Sequence, residues 1–290
     1  MTAQQLVPVT MRSGWQGKSL YEIVIDRLSR LERVLVSYGF PDPIPRIQFH
    51  LKILQHLQKF PTRIDTDEIL WSLVEATELS DIYCSLPSLP RRIFIQKYQA
   101  ILNGPQHPQE ETTESNLARN TMFELYLAGA LSNKGVPTEI RHNPDILCVV
   151  ADRQIFIQCK RPFFRKNTAK NLKLACKQLG RDLSTCGDPR NRGVVALSLS
   201  HALNPGEMCP QVRTEADMHR AITSQIRMLV DRILLPLIRG PRIVGLVCQM
   251  TTPTFIQDIN EYRMGQVMAM YPSTAASDAD RRMLRRVFLR

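Results

Sequence analysis

Apolar positions in the N-terminal third of the chain recur at helical spacing. Leu20, Ile23, Leu28, Leu31 and Leu35 keep that period behind Ser19-Leu20-Tyr21-Glu22, which has the form of a capping box, and Gly39 and Pro41 stop the helix. A second helix is expected from about Ile47 to Phe60, closed by Pro61. A third follows Asp65 and Glu68 through Ile69, Leu70, Leu73 and Val74, and a fourth opens at Pro90, with Ser88 near its cap, and ends at Gly104-Pro105. The pattern therefore predicts an all-helical region over 1–104. Residues 105–114 are polar and proline-containing and read as a linker.

Beyond the linker the period changes. A helix from about Asn116 to Ser132 carries Phe123, Leu127, Ala130 and Leu131 as its apolar stripe, with Glu124 at the stripe's edge. Val136 to Arg141 reads as a short strand. Two β-branched runs then flank Ala151-Asp152-Arg153, which predicts a hairpin with Ile146 to Val150 and Gln154 to Cys159 as its arms. Side chains alternate along a strand, so Gln158 and Lys160 share one face while Ile155, Ile157 and Cys159 take the other, leaving one apolar face to bury. Pairing about the turn returns Asp145 beside Gln158 and Lys160. Asn167 to Leu183 is helical, with Leu172, Ala175, Cys176, Leu179 and Leu183 inward, and Gly193 to Ser200 reads as a buried strand. The predicted order over this region is helix, strand, strand, strand, helix, strand.

After a Pro/Gly-bearing loop from Asn204 to Val212, a long helix is expected from Glu215 to Ile238, with Pro236 as a kink point. Arg242 to Met250 and Gly265 to Tyr271 are expected to extend the sheet within a domain spanning 115–275. Residues 276–290 form a basic C-terminal tail. Its Ser277-Asp278-Ala279-Asp280 start and its arginines fit a helix that grips nucleic acid or a partner, or a frayed solvated end.

Composition sharpens this picture. In 290 residues, 43% hydrophobic, there is enough apolar material for a sizeable core, and a net charge of +11 points to a polyanionic partner, nucleic acid before membrane. The seven cysteines are widely spaced without a C-x-x-C pair, which reads as reduced and mostly buried thiols. Met1 to Gln16 lacks the order of a signal peptide, and the most apolar stretch, Ile233 to Val247, is broken by Pro236, Arg239, Gly240, Pro241 and Arg242. A soluble, cytoplasmic protein is expected. There is no P-loop, no G-x-G-x-x-G and no G-x-S-x-G elbow. His50 and His56 lie six apart and read as helix-surface residues, and Cys159 is turned away from Lys160 by the alternation, which argues against a thiol enzyme.

The chemistry concentrates at the hairpin. A carboxylate, an amide oxygen and an ammonium at one strand end suit a cation and its waters, with the lysine favouring a deprotonated attacking water. Polar ends of a solvent-exposed hairpin would look the same, but here a basic run follows directly. Lys160, Arg161, Arg165, Lys166, Lys170, Lys173, Lys177 and Arg181 occur without an intervening Asp or Glu, as a phosphate track requires.

Pro144-Asp145 followed by Gln158-Cys159-Lys160-Arg161-Pro162 resembles the signature of the PD-(D/E)xK nuclease superfamily, over roughly residues 115–200. The resemblance implies an α/β restriction-endonuclease-like fold, an α-β-β-β-α-β core whose mixed sheet is flanked by helices, here preceded by the all-helical region. It implies a nuclease hydrolysing phosphodiester bonds with Mg²⁺ or Mn²⁺, DNA rather than RNA. Asp145, Gln158 and Glu124 would hold the cation, Lys160 would act on water, and Arg161, Arg165, Lys166, Lys170, Lys173, Lys177 and Gln178 would contact nucleic acid. Ala175-Cys176-Lys177-Gln178-Leu179 looks like the Gln-containing helix motif of helicase-associated members, with Asp182 where those carry Tyr. The chain also departs at Gln158, where the family usually has Glu or Asp and only some members have Gln; an amide offers a metal an oxygen without charge. The alternative is a catalytically silent nuclease-fold protein that binds nucleic acid or serves in assembly, with the helical region as a surface for a protein partner or a second copy.

Overall fold

In a computed structural model the described residues are 7–8, 20–59, 67–86, 89–105, 117–205 and 209–289. The anticipated capping residues Ser19, Asp65 and Ser88, and all of the anticipated linker but Pro105, lie outside them. By packing, the chain divides into a unit of residues 11–122 and a unit of residues 1–10 with 123–290.

The first unit is helical. It contains α1 (Leu20–Ser37), α2 (Pro45–Lys59), α3 (Asp67–Ser85), α4 (Arg91–Leu102) and the start of α5 (Leu117–Asn133). The apolar period of α1 becomes core, with Leu28, Leu31 and Leu35 fully buried, as are Ile47, Leu54, Leu79 and Ile101 from the other helices. Glu32 of α1 reaches across to α2. Its carboxylate accepts from the backbone of Ile44 at 3.0 Å and from Gln48 at 2.7 Å, satisfying donors at a helix N-terminus that Pro45 opens.

A buried ionic cluster sits inside this unit. The Glu75 carboxylate accepts from Arg46 Nε at 2.5 Å and forms an ion pair with Arg119, whose Nη2 is 2.8 Å away, and His50 Nε2 lies 3.2 Å away. Arg46 also donates to the Ile101 carbonyl at 2.8 Å, and His50 Nδ1 meets Ser72 Oγ at 2.6 Å. None of Arg46, His50, Glu75 or Arg119 is more than 3% exposed, so His50 is a buried residue and not the helix-surface histidine its spacing suggested. Burial alone would raise the Glu75 carboxyl, but Arg119, Arg46 and His50 outweigh it and hold the group well below the usual carboxylate range.

The second unit is α/β with helices on a mixed open sheet. Its strands are β1 (Val7–Pro8), β2 (Thr138–Ile140), β3 (Ile146–Val150), β4 (Arg153–Lys160), β5 (Arg192–Ser198), β6 (Gln211–Val212), β7 (Ile243–Ile256) and β8 (Glu261–Pro272). They run in the order β1-β8-β7-β5-β4-β3-β2, with β6 paired to β7. β4, β5 and β7 are parallel neighbours, while β2-β3-β4 and β7-β8 are antiparallel. From α5 through β2, β3, β4, α6 (Thr168–Cys186) and β5, the chain follows the predicted helix, strand, strand, strand, helix, strand order.

Several elements differ from expectation. The hairpin turn is the two residues Ala151-Asp152, with Val150 opposite Arg153, so Arg153 already belongs to the strand. Ala151 takes the left-handed conformation at φ 56°, a geometry suited to a tight turn that follows the strands' twist. Both faces of β4 are covered: Phe156 and Gln158 are as buried as Ile155 and Ile157, with α6 packed over Phe156. The Asn204–Val212 loop is framed by a helical turn, α7 (Ser200–Leu203), and by β6. The long helix is regular only over α8 (Glu215–Leu229); it widens into a π segment at Val230–Leu234 and tightens at Leu235–Leu237, where Pro236 interrupts the ladder. β7 and β8 extend well past the expected strands.

The residues at the chain's C-terminal end are docked, not frayed. α9 (Asp278–Phe288) buries Met283, Leu284, Val287 and Phe288, and Ser277 and Asp280 form a reciprocal capping box. Arg192 Nε donates to Asp280 at 2.8 Å, and Lys134 Nζ to the Phe288 carbonyl at 2.6 Å. Arg282, Arg285 and Arg286 face solvent. All seven cysteines are thiols, of which Cys148, Cys159 and Cys248 are buried while Cys84 and Cys186 are exposed.

Candidate functional site

Three sequence-adjacent facts put the site together. Ile146 pairs with Ile157, so Asp145 arrives beside Gln158 where β3 begins and β4 ends. Asp145 Oδ2 accepts from Gln158 Nε2 at 2.5 Å and from the Cys159 backbone N–H at 2.7 Å. Two donors on one oxygen fix the carboxylate, which is 8% exposed. Lys160 closes β4 two residues beyond Gln158, on the same face of the sheet, and is half-buried.

Gln158 is the unusual member. Its amide nitrogen is engaged, but its Oε1 is buried and has no hydrogen-bond partner among the described residues. A buried amide oxygen left unsatisfied costs about 1–3 kcal/mol, so it is a site prepared for a donor or a cation. The oxygen chemistry of Asp145 and Gln158 fits a hard divalent cation that keeps most of its own waters. Among the described residues no three His, Cys, Asp or Glu side chains converge as a metal group, and a pair built from one carboxylate and one amide falls outside that chemistry.

α6 covers the same face of the sheet. Leu172, Ala175, Leu179 and Leu183 are buried against Phe156, Val195 and Leu197, and Leu147 joins them from β3. Gly193 admits the helix closely, since a Cβ there would lie 3.2 Å from Leu183. The opposite side of α6 presents Lys170, Lys173, Lys177 and Arg181 to solvent at intervals of one turn, and Arg165 and Lys166 are exposed just before it. Arg161 does not belong to that surface, being 8% exposed. Gln178 is half-buried, its Oε1 without a hydrogen-bond partner among the described residues, and Glu124 is half-buried on α5.

Comparison with known proteins gives no match: none among family models, none among curated proteins and none among solved structures. No helix of the described residues is long and apolar enough to cross a membrane.

Sequence reasoning missed His201. It follows β5 and lies 7% exposed, its Nδ1 2.6 Å from the Phe163 carbonyl and its ring stacked on Phe163 at 4.0 Å. The contact ties the segment leaving Lys160 to the end of the neighbouring strand. A histidine just past a buried apolar run was the only available signal.

Proposed function

We infer that this protein is a metal-dependent nuclease of the PD-(D/E)xK type, acting on DNA, with Gln158 at the position where most such enzymes carry an acid. The observation that carries the reading is the pairing of the Asp145 carboxylate with Gln158, whose buried oxygen is unsatisfied, at the strand end that also bears Lys160. Asp145 and Gln158 would hold Mg²⁺ or Mn²⁺, with Glu124 assisting. When bound, the cation supplies Lewis-acid stabilisation of the charge that develops on the phosphoryl oxygens and on the attacking water.

The chain's own groups then divide the work. The Lys160 ammonium orients the attacking water and stabilises its hydroxide form by charge. The exposed stripe of Lys170, Lys173 and Lys177 attracts the phosphodiester backbone and sets its path past β4, a salt-dependent contribution without sequence information. Lys160→Ala is expected to retain DNA binding within about threefold while cleavage falls by roughly 10²-fold or more, measured by gel retardation in EDTA beside a cleavage time course in Mn²⁺. Full cleavage by that variant would remove lysine from the mechanism.

One observation favours the silent-binder reading. Gln158 Nε2 already satisfies Asp145 without a cation, an arrangement that a second carboxylate would not give. A protein that retards DNA through the α6 lysines, yet shows no calorimetric Mn²⁺ binding dependent on Asp145, would be that binder.

A further inference from the structure

Resting on the nucleic-acid reading above, we propose that Phe164 is a stacking platform for an unpaired nucleobase, so that the strand entering this site is single-stranded at that point. The ring lies in the segment between Lys160 and α6 and is 38% exposed. Isolated exposed apolar side chains are ordinary on protein surfaces, so exposure is not the argument. What sets this ring apart is how it is held and what surrounds it.

Phe164 is backed by a ladder of rings. The Phe164 and Phe163 rings meet at right angles, 4.6 Å between centroids with the planes at 89°, and Phe163 lies stacked on His201 at 4.0 Å. His201 is in turn fixed by the Phe163 carbonyl at 2.6 Å and is buried in α7, just past β5. A solvent-facing phenyl ring held against Phe163, and through it against the buried His201 of α7, has fewer side-chain conformations open to it before any ligand arrives. That is the pre-organisation a stacking surface needs.

Charge around the ring selects the partner. Lys166 Nζ sits over the Phe164 ring, 5.4 Å from its centroid, and Arg165 beside it is exposed. No Asp or Glu occurs between Asp152 and Asp182 in sequence, and Lys170, Lys173 and Lys177 continue the basic surface along α6. An exposed aromatic ring with the Lys166 ammonium over it and a guanidinium on the preceding residue, Arg165, matches a nucleotide, whose base stacks while its phosphate meets a lysine. In duplex DNA both faces of every base are occupied by neighbouring bases, so a ring projecting from a short segment can stack only where a base is unpaired or turned out.

The test is equilibrium binding of the full-length protein in EDTA, by fluorescence anisotropy, to three probes: labelled oligothymidylate, a strand of the same length made of abasic units, and a duplex of that length. Wild type should prefer oligothymidylate to the abasic strand, and Phe164→Ala should weaken oligothymidylate binding by on the order of 5- to 100-fold while leaving the abasic strand and the duplex nearly unchanged. Phe164→Trp should keep the preference and show tryptophan quenching with oligothymidylate that the abasic strand does not produce. Equal oligothymidylate affinity in wild type and Phe164→Ala, while Lys170→Glu with Lys173→Glu lowers it, would overturn the stacking platform and leave the nucleic-acid reading intact. A wild-type protein that binds none of the three probes would overturn both.

Discussion

Glu75→Gln is expected to destabilise the helical unit by about 3–5 kcal/mol, the scale for removing one partner from a buried charge group. The substitution keeps the side chain's shape but removes the charge that Glu75 sets against Arg46 and Arg119, both nearly inaccessible to water. For a unit of this size the loss corresponds to a fall in thermal midpoint on the order of 15–30 °C. Replacing Glu75, Arg46 and Arg119 together by apolar residues of similar volume is expected to cost far less, because the penalty lies in the unpaired charge and not in the missing attraction. A Glu75→Gln protein melting at the wild-type midpoint would mean that the cluster is not buried as described.

The same residue gives a pH signature. Its folded-state carboxyl is held below the usual value, so its stabilisation is fully present above about pH 4.3 and is lost as the pH falls through the lower folded-state value. Asp81 runs the other way. Burial raises its carboxyl to about 6 despite Arg27 at 3.0 Å, so what it contributes declines as the pH rises from about 4 towards that value. Comparing wild type with Glu75→Gln at each pH cancels Asp81 and isolates the cluster: the gap between the two proteins should narrow only in the acid range.

Gln158→Glu is expected to convert the site from one that stands without metal into one that needs it. The change removes the Nε2 donor to Asp145 and sets a second carboxylate beside it in a buried place, at an expected cost of roughly 2–4 kcal/mol in EDTA. Like charges at that distance raise the pair's folded-state titration above the ordinary carboxylate range. The sign is then fixed: the variant's deficit should be largest at neutral pH and shrink towards about pH 4, where the pair takes up a proton. Mn²⁺ or Mg²⁺ should restore most of the lost midpoint through binding linkage, with a smaller rise in wild type. If Gln158→Glu melts like wild type with and without metal, Asp145 and Gln158 do not form a cation site.

Much of the sheet was legible because it depends on local rules. The β-branched runs around Ala151-Asp152 specify a hairpin whatever lies beyond it, and that pairing alone returns Asp145 to Gln158. The inner stripe of α6 follows from spacing in the same way. Burial of both faces of β4 was not legible, since Gln158 and Lys160 interrupt what would otherwise be a continuous apolar run, and alternation then looks like a half-exposed strand. The Glu75 cluster was hidden for a different reason. Charged residues on helices read as solvated until tertiary contacts bring them together, and Arg46 reaches Glu75 across 29 residues of sequence. Phe163 and Phe164 were visible as residues, but the ladder that orders them depends on His201, which arrives on α7, just past β5.

The central claim, metal-dependent hydrolysis at Asp145, Gln158 and Lys160, is tested most directly by incubating the purified full-length protein with single-stranded and supercoiled circular DNA in Mg²⁺, Mn²⁺ or EDTA, beside Asp145→Asn. Strand cutting by wild type in at least one metal, absent in EDTA and absent from Asp145→Asn, is the expected result. Cutting that persists in EDTA or in Asp145→Asn, or no cutting by wild type in either metal, would contradict it.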